Sequence, residues 1–316
     1  MSIEFIIAAI VTIVGLSTPI LLAGLGELVT EKSGVLNLGV EGMMLIGAIS
    51  GFAGTVFTGS PWLGVIVAAI CGALSAILFG FFVLTLNSNQ VATGLALTIF
   101  GTGLSSLLGL SFTGRIVAQF GSPFPAAVAK HPIWQVFFGY SPIVYFAVIM
   151  VFVVGWLLRS TRRGLILRAV GENDLSAHSI GYSVVGVRYA AVAFGGAMAG
   201  IGGAYFSLVI TPMWAERMTA GRGWIALALV VFAGWQPGRL LWGAYFFGIL
   251  MWLELFAKSN GFESQFGLAI AQYVPSQFWA AMPYIMTVVV LAIISSRAAG
   301  GGNAPACLGK PFLPAN

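Results

Sequence analysis

The fold is decided by one long polar interval, RSTRRGLILRAVGENDLSAHSIGYSVVGVRY (residues 159–189), which lies between stretches that are almost entirely apolar. It carries five arginines, namely Arg159, Arg162, Arg163, Arg168 and Arg188. Because charged side chains are costly inside a bilayer, this interval should lie outside the membrane that its apolar flanks enter. We predict that a partner outside the bilayer binds it.

Composition and the apolar runs predict an all-α fold, a polytopic membrane helical bundle. Hydrophobic residues make up 59% of the 316 residues, charged residues only 7%, and the mean hydropathy is +0.99. An ordinary soluble domain is about 25% charged. A helix needs about 20 apolar residues to cross the hydrocarbon core, so the chain has room for about nine or ten crossings. The runs are continuous rather than alternating, which argues against a transmembrane barrel.

The runs place the individual crossings. We predict them at residues 5–25, 35–57, 62–85, 91–112, 141–158, 188–210, 223–235, 240–257 and 283–296. A short re-entrant helix at residues 266–274 would make a tenth, and residues 113–140, with Lys130 and His131, would form an external loop. Residues 1–297 are expected to form one transmembrane domain, followed by a flexible cytoplasmic tail at 298–316.

The distribution of basic residues predicts the orientation, because cytoplasmic loops carry an excess of Lys and Arg. With the polar interval inside, the cytoplasmic side receives Lys32, Arg159, Arg162, Arg163, Arg168, Arg188, Arg239, Arg297 and Lys310. The external side receives Arg115, Lys130, Arg217, Arg222 and Lys258. We therefore expect a multi-pass membrane protein with an external N-terminus and a cytoplasmic C-terminus. The N-terminus lacks a basic n-region, so we expect no removable signal peptide.

The residue inventory argues against catalysis. The only aspartate is Asp174, and both histidines, His131 and His178, lie in polar segments, so we predict no catalytic residue, metal site or cofactor. Residues 26–33, GELVTEKS, come within one residue of a phosphate-binding loop, but Glu31 stands where its second glycine belongs. The chain is predicted not to be an enzyme, and its net charge of +5 is better explained by orientation than by nucleic acid.

Polar residues inside apolar runs are candidates for a translocation path. Ser33, Asn37 and Glu41 are four residues apart and would share one face of the second helix. A charged Glu41 at mid-membrane would cost about 2.5–3.5 kcal/mol, so it should face protein or a water-filled path. A second cluster lies between the third and fourth crossings, at Asn87, Asn89 and Gln90. Interhelical hydrogen bonds, for the first group, and a solvated loop, for the second, remain open alternatives.

Two further patterns concern helix packing and symmetry. Small residues recur at four-residue spacing, as in Gly47 and Gly51 or Gly196 and Gly200, and predict close helix contacts. GLALTIF at 94–100 is echoed by ALALVVF at 226–232, in helices predicted to run in opposite directions. This echo is what a possible inverted repeat of a transporter would give.

Four ordered motifs resemble a known family. They are ELVTEKSGVLNLGVEGMMLIGA (27–48), NQVATGLAL (89–97), TRRGLILRAVGEN (161–173) and GRGWIALAL (221–229). Together they resemble permease subunits of bacterial ABC importers in the simple-sugar and nucleoside branch, related to ribose and branched-chain amino acid permeases. With one crossing before the first motif, the chain is most similar to the shorter of the paired nucleoside permeases.

The resemblance implies that the polar interval contains the helix that couples the permease to an ATPase. The positions matching the family pattern are Thr161, Gly164, Arg168, Gly171, Glu172 and Asn173. Departures occur at Asp174, where proline is common, and at His178, where a small or acidic residue is usual. The implied partners are a cytoplasmic ABC ATPase, a second permease subunit, an extracytoplasmic substrate-binding protein and membrane lipid.

The resemblance implies inward, ATP-driven movement of a small polar solute by alternating access, with nucleosides favoured over simple sugars. A secondary carrier working without a partner ATPase is the main alternative. It usually needs a titratable group within the membrane, and its uptake would follow an ion gradient. A channel is less favoured, because it has no need of a long basic cytoplasmic loop.

Overall fold

The computed structural model describes residues 3–125, 134–259, 274–297 and 304–313. Over these ranges the chain is helical, and its one strand-like feature is an isolated bridge between Ile116 and Met213. The helices are α1 (Ile3–Lys32), α2 (Val40–Thr58), α3 (Pro61–Gly80), α4 (Gln90–Gly109), α5 (Gln135–Phe138), α6 (Pro142–Ser160), α7 (Arg162–Glu172), α8 (Asp174–Ser179), α9 (Val184–Tyr205), α10 (Arg222–Phe232), α11 (Pro237–Lys258) and α12 (Ser276–Arg297). Single π-helical turns extend α3 to Thr85 and α9 to Ile210.

Seven of the described helices are long and apolar enough to cross a membrane: α1, α2, α3, α4, α6, α9 and α11. The prediction of a polytopic helical membrane bundle is therefore confirmed. Lys130, His131 and residues 266–273 lie outside the described residues, so the re-entrant helix stays a prediction.

Helix α9 lies at the centre of the bundle and touches α1, α2 and α3 through glycine. A Cβ atom on Gly47 of α2 would overlap the backbone of Gly200, and one on Gly72 of α3 would overlap that of Gly196. On α1, a Cβ on Gly26 would lie 2.7 Å from the Gly195 carbonyl oxygen. The prediction of close packing at the spaced glycines is confirmed. Such contacts let dispersion forces hold helices together where lipid supplies no hydrophobic drive.

Two of the predicted crossings differ from the helices in the structure, because non-helical backbone occupies residues 33–39 and the stretch before α10. We call these two stretches the first and the second interruption. The second crossing starts at Val40 instead of residue 35, because residues 33–39 leave the helix at Gly34, whose φ is +91°. The prediction that Ser33, Asn37 and Glu41 share one helix face is therefore wrong. The crossing predicted at 223–235 is the 11-residue helix α10, about 16 Å long and half the length needed to span. Residues 211–221 lead into it without forming a regular helix.

We predict that Gly47→Ala lowers the unfolding temperature of the purified protein, because its new methyl group cannot fit against Gly200. Overpacking of this kind costs about 1–3 kcal/mol. Gly103→Ala on α4 is the matched control, since its Cβ would meet nothing within 4 Å. Thermal unfolding in detergent micelles measures both. Equal melting of the two variants would show that α2 and α9 can separate without loss.

Candidate functional site

The polar interval folds into α7 and α8, and its predicted family residues set the shape. The Thr161 side chain caps α7 by accepting a hydrogen bond from the Gly164 amide at 3.0 Å, and its hydroxyl donates to the Leu157 carbonyl at 2.7 Å. A Cβ on Gly164 would overlap that same carbonyl. The Asn173 side chain caps α8 by accepting from the Ser176 amide at 2.9 Å. These residues therefore fix two sharp turns in succession.

The remaining family residues lie where α7 meets the end of α1. Gly171 is buried, and a Cβ there would overlap the Lys32 carbonyl, so α7 packs directly on the α1–α2 connection. Arg168 and Glu172 are exposed and line one side of an open cleft. Exposed charges on a helix anchored by backbone contacts are suited to receive a partner protein.

An ion pair that the sequence did not reveal ties α8 to the same connection. The Arg188 guanidinium, fully buried in α9, lies 3.1 Å from the Asp174 carboxylate, whose side chain is 13% exposed. Its Nε also donates to the Ser33 carbonyl at 3.2 Å. Asp174 thus supplies the counter-ion of a buried cation. The arginine lies fourteen residues further on, across a change of helix, and no spacing rule links the two.

Part of the C-terminal segment also packs against this surface. The Cys307 amide donates to the Gly171 carbonyl at 2.9 Å, and the Gly309 amide donates to the Gly34 carbonyl at 3.2 Å. The Phe312 ring lies 5.5 Å from that of His178. Residues 304–313 therefore bridge α7, α8 and the α1–α2 connection, while the domain boundary and the flexibility of the whole tail stay predictions.

The second predicted polar cluster lies at this same end of the bundle. Gln90 is buried; its side-chain oxygen accepts from the Leu36 amide at 2.8 Å, and its amide donates to the Lys310 carbonyl at 3.4 Å. Asn89 caps α4 by accepting from the Ala92 amide at 3.0 Å, and Asn87 occupies an exposed turn with φ +54°. The Gln90 side chain thus stabilises the non-helical backbone at residues 33–39. Lining of a path by these three residues stays a prediction.

Glu41 stabilises the second interruption, where residues 211–221 lead into α10. Its carboxylate accepts hydrogen bonds from the Thr219 hydroxyl at 2.5 Å and from the amides of Gly221 and Gly223 at 2.8 and 2.6 Å. Those amides belong to the N-terminal end of α10, where the helix dipole favours negative charge. Gly223 is required there, because a Cβ would lie 2.7 Å from the Glu41 backbone nitrogen. Glu41 is 7% exposed.

Asn37 and two acidic residues of α1 stabilise the first interruption, the non-helical backbone at residues 33–39. The side-chain oxygen of Asn37 accepts a hydrogen bond from the Gly39 backbone amide at 2.9 Å, and the backbone amide of Asn37 donates to the Glu27 carboxylate at 3.0 Å. The Glu31 carboxylate accepts from the Trp235 indole at 2.6 Å. Sequence reasoning considered Glu31 only as a departure from a phosphate-binding loop and proposed neither Glu27 nor Glu31 as a site residue, although a carboxyl group within an apolar run was the available signal. Exposure of Asn37 or Glu41 to a solute stays a prediction.

The two stretches of the sequence echo both lie beside the start of α2. In α4, the Thr98 hydroxyl donates to the Leu38 carbonyl at 3.0 Å, and α10 holds Glu41 at its first turn. The relation between them as inverted repeats stays a prediction. Within the described residues, no group of three or more His, Cys, Asp and Glu side chains is placed to hold a metal ion.

Comparison with known proteins identifies the family. The model of the permease component of branched-chain amino acid transport systems matches residues 9–294. The chain belongs to this permease family. It is 40% identical to the putative glucose ABC transporter permease protein TsgC13 of Haloferax volcanii, over 87% of this chain and 88% of the relative. It is therefore an ABC-type membrane permease, as the sequence motifs predicted.

Two further relatives are nucleoside permeases. The nucleoside ABC transporter permease protein NupC of Lactococcus lactis is 30% identical, over 89% of this permease and 90% of the relative. The guanosine ABC transporter permease protein NupQ of Bacillus subtilis is 29% identical, over 94% and 93%. No solved structure matches the chain.

We predict that Glu41→Ala lowers the unfolding temperature of the permease, because it leaves one hydroxyl and two amides without their acceptor. Each unsatisfied buried group costs about 1–3 kcal/mol. Glu41→Gln keeps one oxygen and should fall between Glu41→Ala and the unaltered protein. Glu216→Ala is the matched control, since this exposed carboxylate in the same connecting segment accepts one bond, from Ser106 at 3.3 Å. Unchanged melting of Glu41→Ala with reduced uptake would instead assign the carboxylate to the solute path.

We predict that Asp174→Ala destabilises the permease by about 3–5 kcal/mol, because it strands the buried Arg188 guanidinium without its counter-ion. Adding Arg188→Leu should recover part of this loss, since the stranded charge is then gone. Glu254→Ala is the control: it breaks the exposed pair with Lys258 at 2.6 Å, and such pairs contribute about 0–1 kcal/mol. A double-mutant cycle of unfolding free energies measures the coupling. Purely additive losses at 174 and 188 would contradict the ion pair.

Proposed function

We propose that this permease moves an uncharged, sugar-containing solute inward by alternating access, powered by a separate ATPase that docks on α7 and α8. The observation that carries the proposal is the set of contacts leading from these two helices to the interrupted backbone within the bundle. A permease without ATPase motifs of its own needs such a connection if ATP hydrolysis elsewhere is to open its pathway.

The connection can be followed contact by contact. Gly171 packs on the Lys32 backbone, and the Asp174–Arg188 pair holds the Ser33 carbonyl. From Ser33 the chain runs through residues 34–39 to Glu41, whose carboxylate holds the first turn of α10. A displacement of α7 and α8 is therefore applied to residues 33–39 and, through Glu41, to a half-length helix. Half-length helices border the solute sites of many transporters.

The relatives narrow the class of solute. A putative glucose permease and permeases for nucleosides and guanosine match almost the whole chain. These solutes share a sugar ring with free hydroxyl groups and no charge, so we propose a solute with that chemistry. The short-permease resemblance favours nucleosides and the higher identity of the glucose relative favours simple sugars, so competition between guanosine and glucose for uptake will distinguish them.

The proposal implies an assembly in the plasma (inner) membrane of a bacterial cell, with the C-terminus cytoplasmic. An ATPase subunit occupies the face of α7 and α8, and an extracytoplasmic binding protein delivers the solute to the opposite side. A second permease completes the pathway, and resemblance to the shorter of two paired permeases supports a heterodimer. ATP hydrolysis resides in the ATPase subunit alone.

We predict that replacing Arg168 and Glu172 together by alanine lowers ATP-dependent uptake more than about tenfold, because each hydrogen bond between a charged side chain and the ATPase contributes about 1.5–3 kcal/mol. Both side chains are exposed, so the amount of inserted protein should not change. Uptake of labelled guanosine and glucose is measured in cells that also express the ATPase, second permease and binding protein. Solute-stimulated ATP hydrolysis should be abolished in parallel.

The matched control replaces Arg162 and Arg163, two exposed arginines at the other end of α7, by alanine. It should retain most of the uptake. Normal uptake in the Arg168 and Glu172 double variant would contradict docking at this surface. Uptake that follows an ion gradient in cells lacking the ATPase would replace the proposal with a secondary carrier.

A further inference from the structure

A basic cleft opens at the end of the bundle that carries α7. It has a volume of about 580 Å³ and lies between the ends of α1 and α6, the side of α7 and the turn at residues 234–237. Its lining includes three cations, Lys32, Arg159 and Arg168, and one carboxylate, Glu172. The Lys32 ammonium also lies 5.8 Å from the centre of the Trp235 ring. The cleft is therefore suited to an anion and has no comparable attraction for a cation.

The basic cleft continues into an apolar groove on the outer surface of the bundle. The groove has a volume of about 350 Å³, lies between α6 and α11, and shares Gly155, Arg159 and Pro237 with the cleft. Its walls include Val151, Phe152 and Trp156. Phe152 is 69% exposed and Trp156 63% exposed, so both are accessible to an acyl chain. The cleft and groove join at Gly155, where a Cβ would meet nothing within 4 Å.

We propose that the cleft and groove together bind one anionic phospholipid, with the headgroup phosphate held in the cleft by Lys32 and Arg159 and an acyl chain in the groove; Arg168 stays available to the ATPase. The dimensions of a lipid require a polar and an apolar site in direct continuity, and Arg159 lies where the two meet. Basic pockets between membrane helices on the cytoplasmic side are known to hold anionic headgroups. Tryptophan at this depth is typical of the membrane interface.

The continuity with the groove distinguishes a lipid from a soluble phosphate compound. A soluble anion uses the cations of the cleft and gains nothing from Phe152 or Trp156. A lipid uses both, so removal of an aromatic wall weakens the binding of a lipid alone. The headgroup charge is the second criterion, since a zwitterionic lipid brings a quaternary amine close to Lys32 and Arg159.

The test uses the purified full-length permease in neutral detergent, with fluorescent phosphatidylglycerol as probe. Arg159→Gln should weaken binding about fivefold, the effect expected for one basic residue at a membrane surface. Arg162→Gln is the matched control, an exposed arginine three residues away that lines neither the cleft nor the groove. Trp156→Ala should also weaken binding, whereas Trp242→Ala should not, since Trp242 is 73% exposed and outside the groove.

Competition identifies the ligand. Unlabelled phosphatidylglycerol should displace the probe at concentrations at least about fivefold lower than phosphatidylcholine, and inorganic phosphate should displace it poorly. Equal displacement by the two lipids, or equal losses of affinity in Arg159→Gln and Arg162→Gln, would overturn the proposal. Displacement by inorganic phosphate together with full binding by Trp156→Ala would replace the lipid with a soluble phosphate ligand. Binding in detergent requires no transport, so this result is independent of the proposed function.

Discussion

Backbone that leaves the helical conformation within a bilayer must find new hydrogen-bond partners, because the hydrocarbon offers none. This permease interrupts its helices at residues 33–39 and before α10, and buried side chains supply acceptors at both places. The Glu27 side chain accepts from the backbone amide of Asn37, and the Gln90 side chain accepts from that of Leu36. Glu41 accepts from the backbone amides of Gly221 and Gly223 at the start of α10. The helix ends at residues 33–39 and before α10 depend on these hydrogen bonds to backbone N–H groups. Without these acceptors, the backbone N–H groups of Leu36, Asn37, Gly221 and Gly223 would lose the partners that they have in the structure.

The same constraint explains what could be predicted from the sequence. Apolar runs of about 20 residues are required for crossing in any fold, so the long helices α3, α4, α6, α9 and α11 were placed within a few residues. The polar interval was recognised because charge is excluded from the membrane. The break at 33–39 could not be found this way. Residues 35–40, VLNLGV, are as apolar as a crossing, and their departure from the helix depends on acceptors from α1 and α4, distant in sequence.

The sequence identified several residues of the candidate site, but it did not predict the contacts that those residues make. Glu41 and Asn37 attracted notice as polar groups in apolar surroundings, and the structure shows their side chains bonded to protein backbone and hydroxyl groups. A spacing of four residues suggested a shared helix face, but helical periodicity holds only while the helix continues. The Asp174–Arg188 pair was missed for a related reason. It joins α8 to α9 across a turn, and sequence spacing carries no information on how two helices separated by a turn are oriented.

Glycine packing and side-chain hydrogen bonds hold different parts of the described bundle. Helix α9 meets α2 and α3 backbone to backbone at Gly200 and Gly196, and a displacement there would disrupt the close packing of both interfaces at once. Residues 33–39 and the start of α10 are different, because side-chain acceptors hold their backbone at a few points. Helix α8 is linked to both parts at once, because Arg188 of α9 pairs with Asp174 and also donates to the Ser33 carbonyl. The bundle therefore combines close backbone packing around α9 with two backbone segments, residues 33–39 and the start of α10, that individual side chains hold in place.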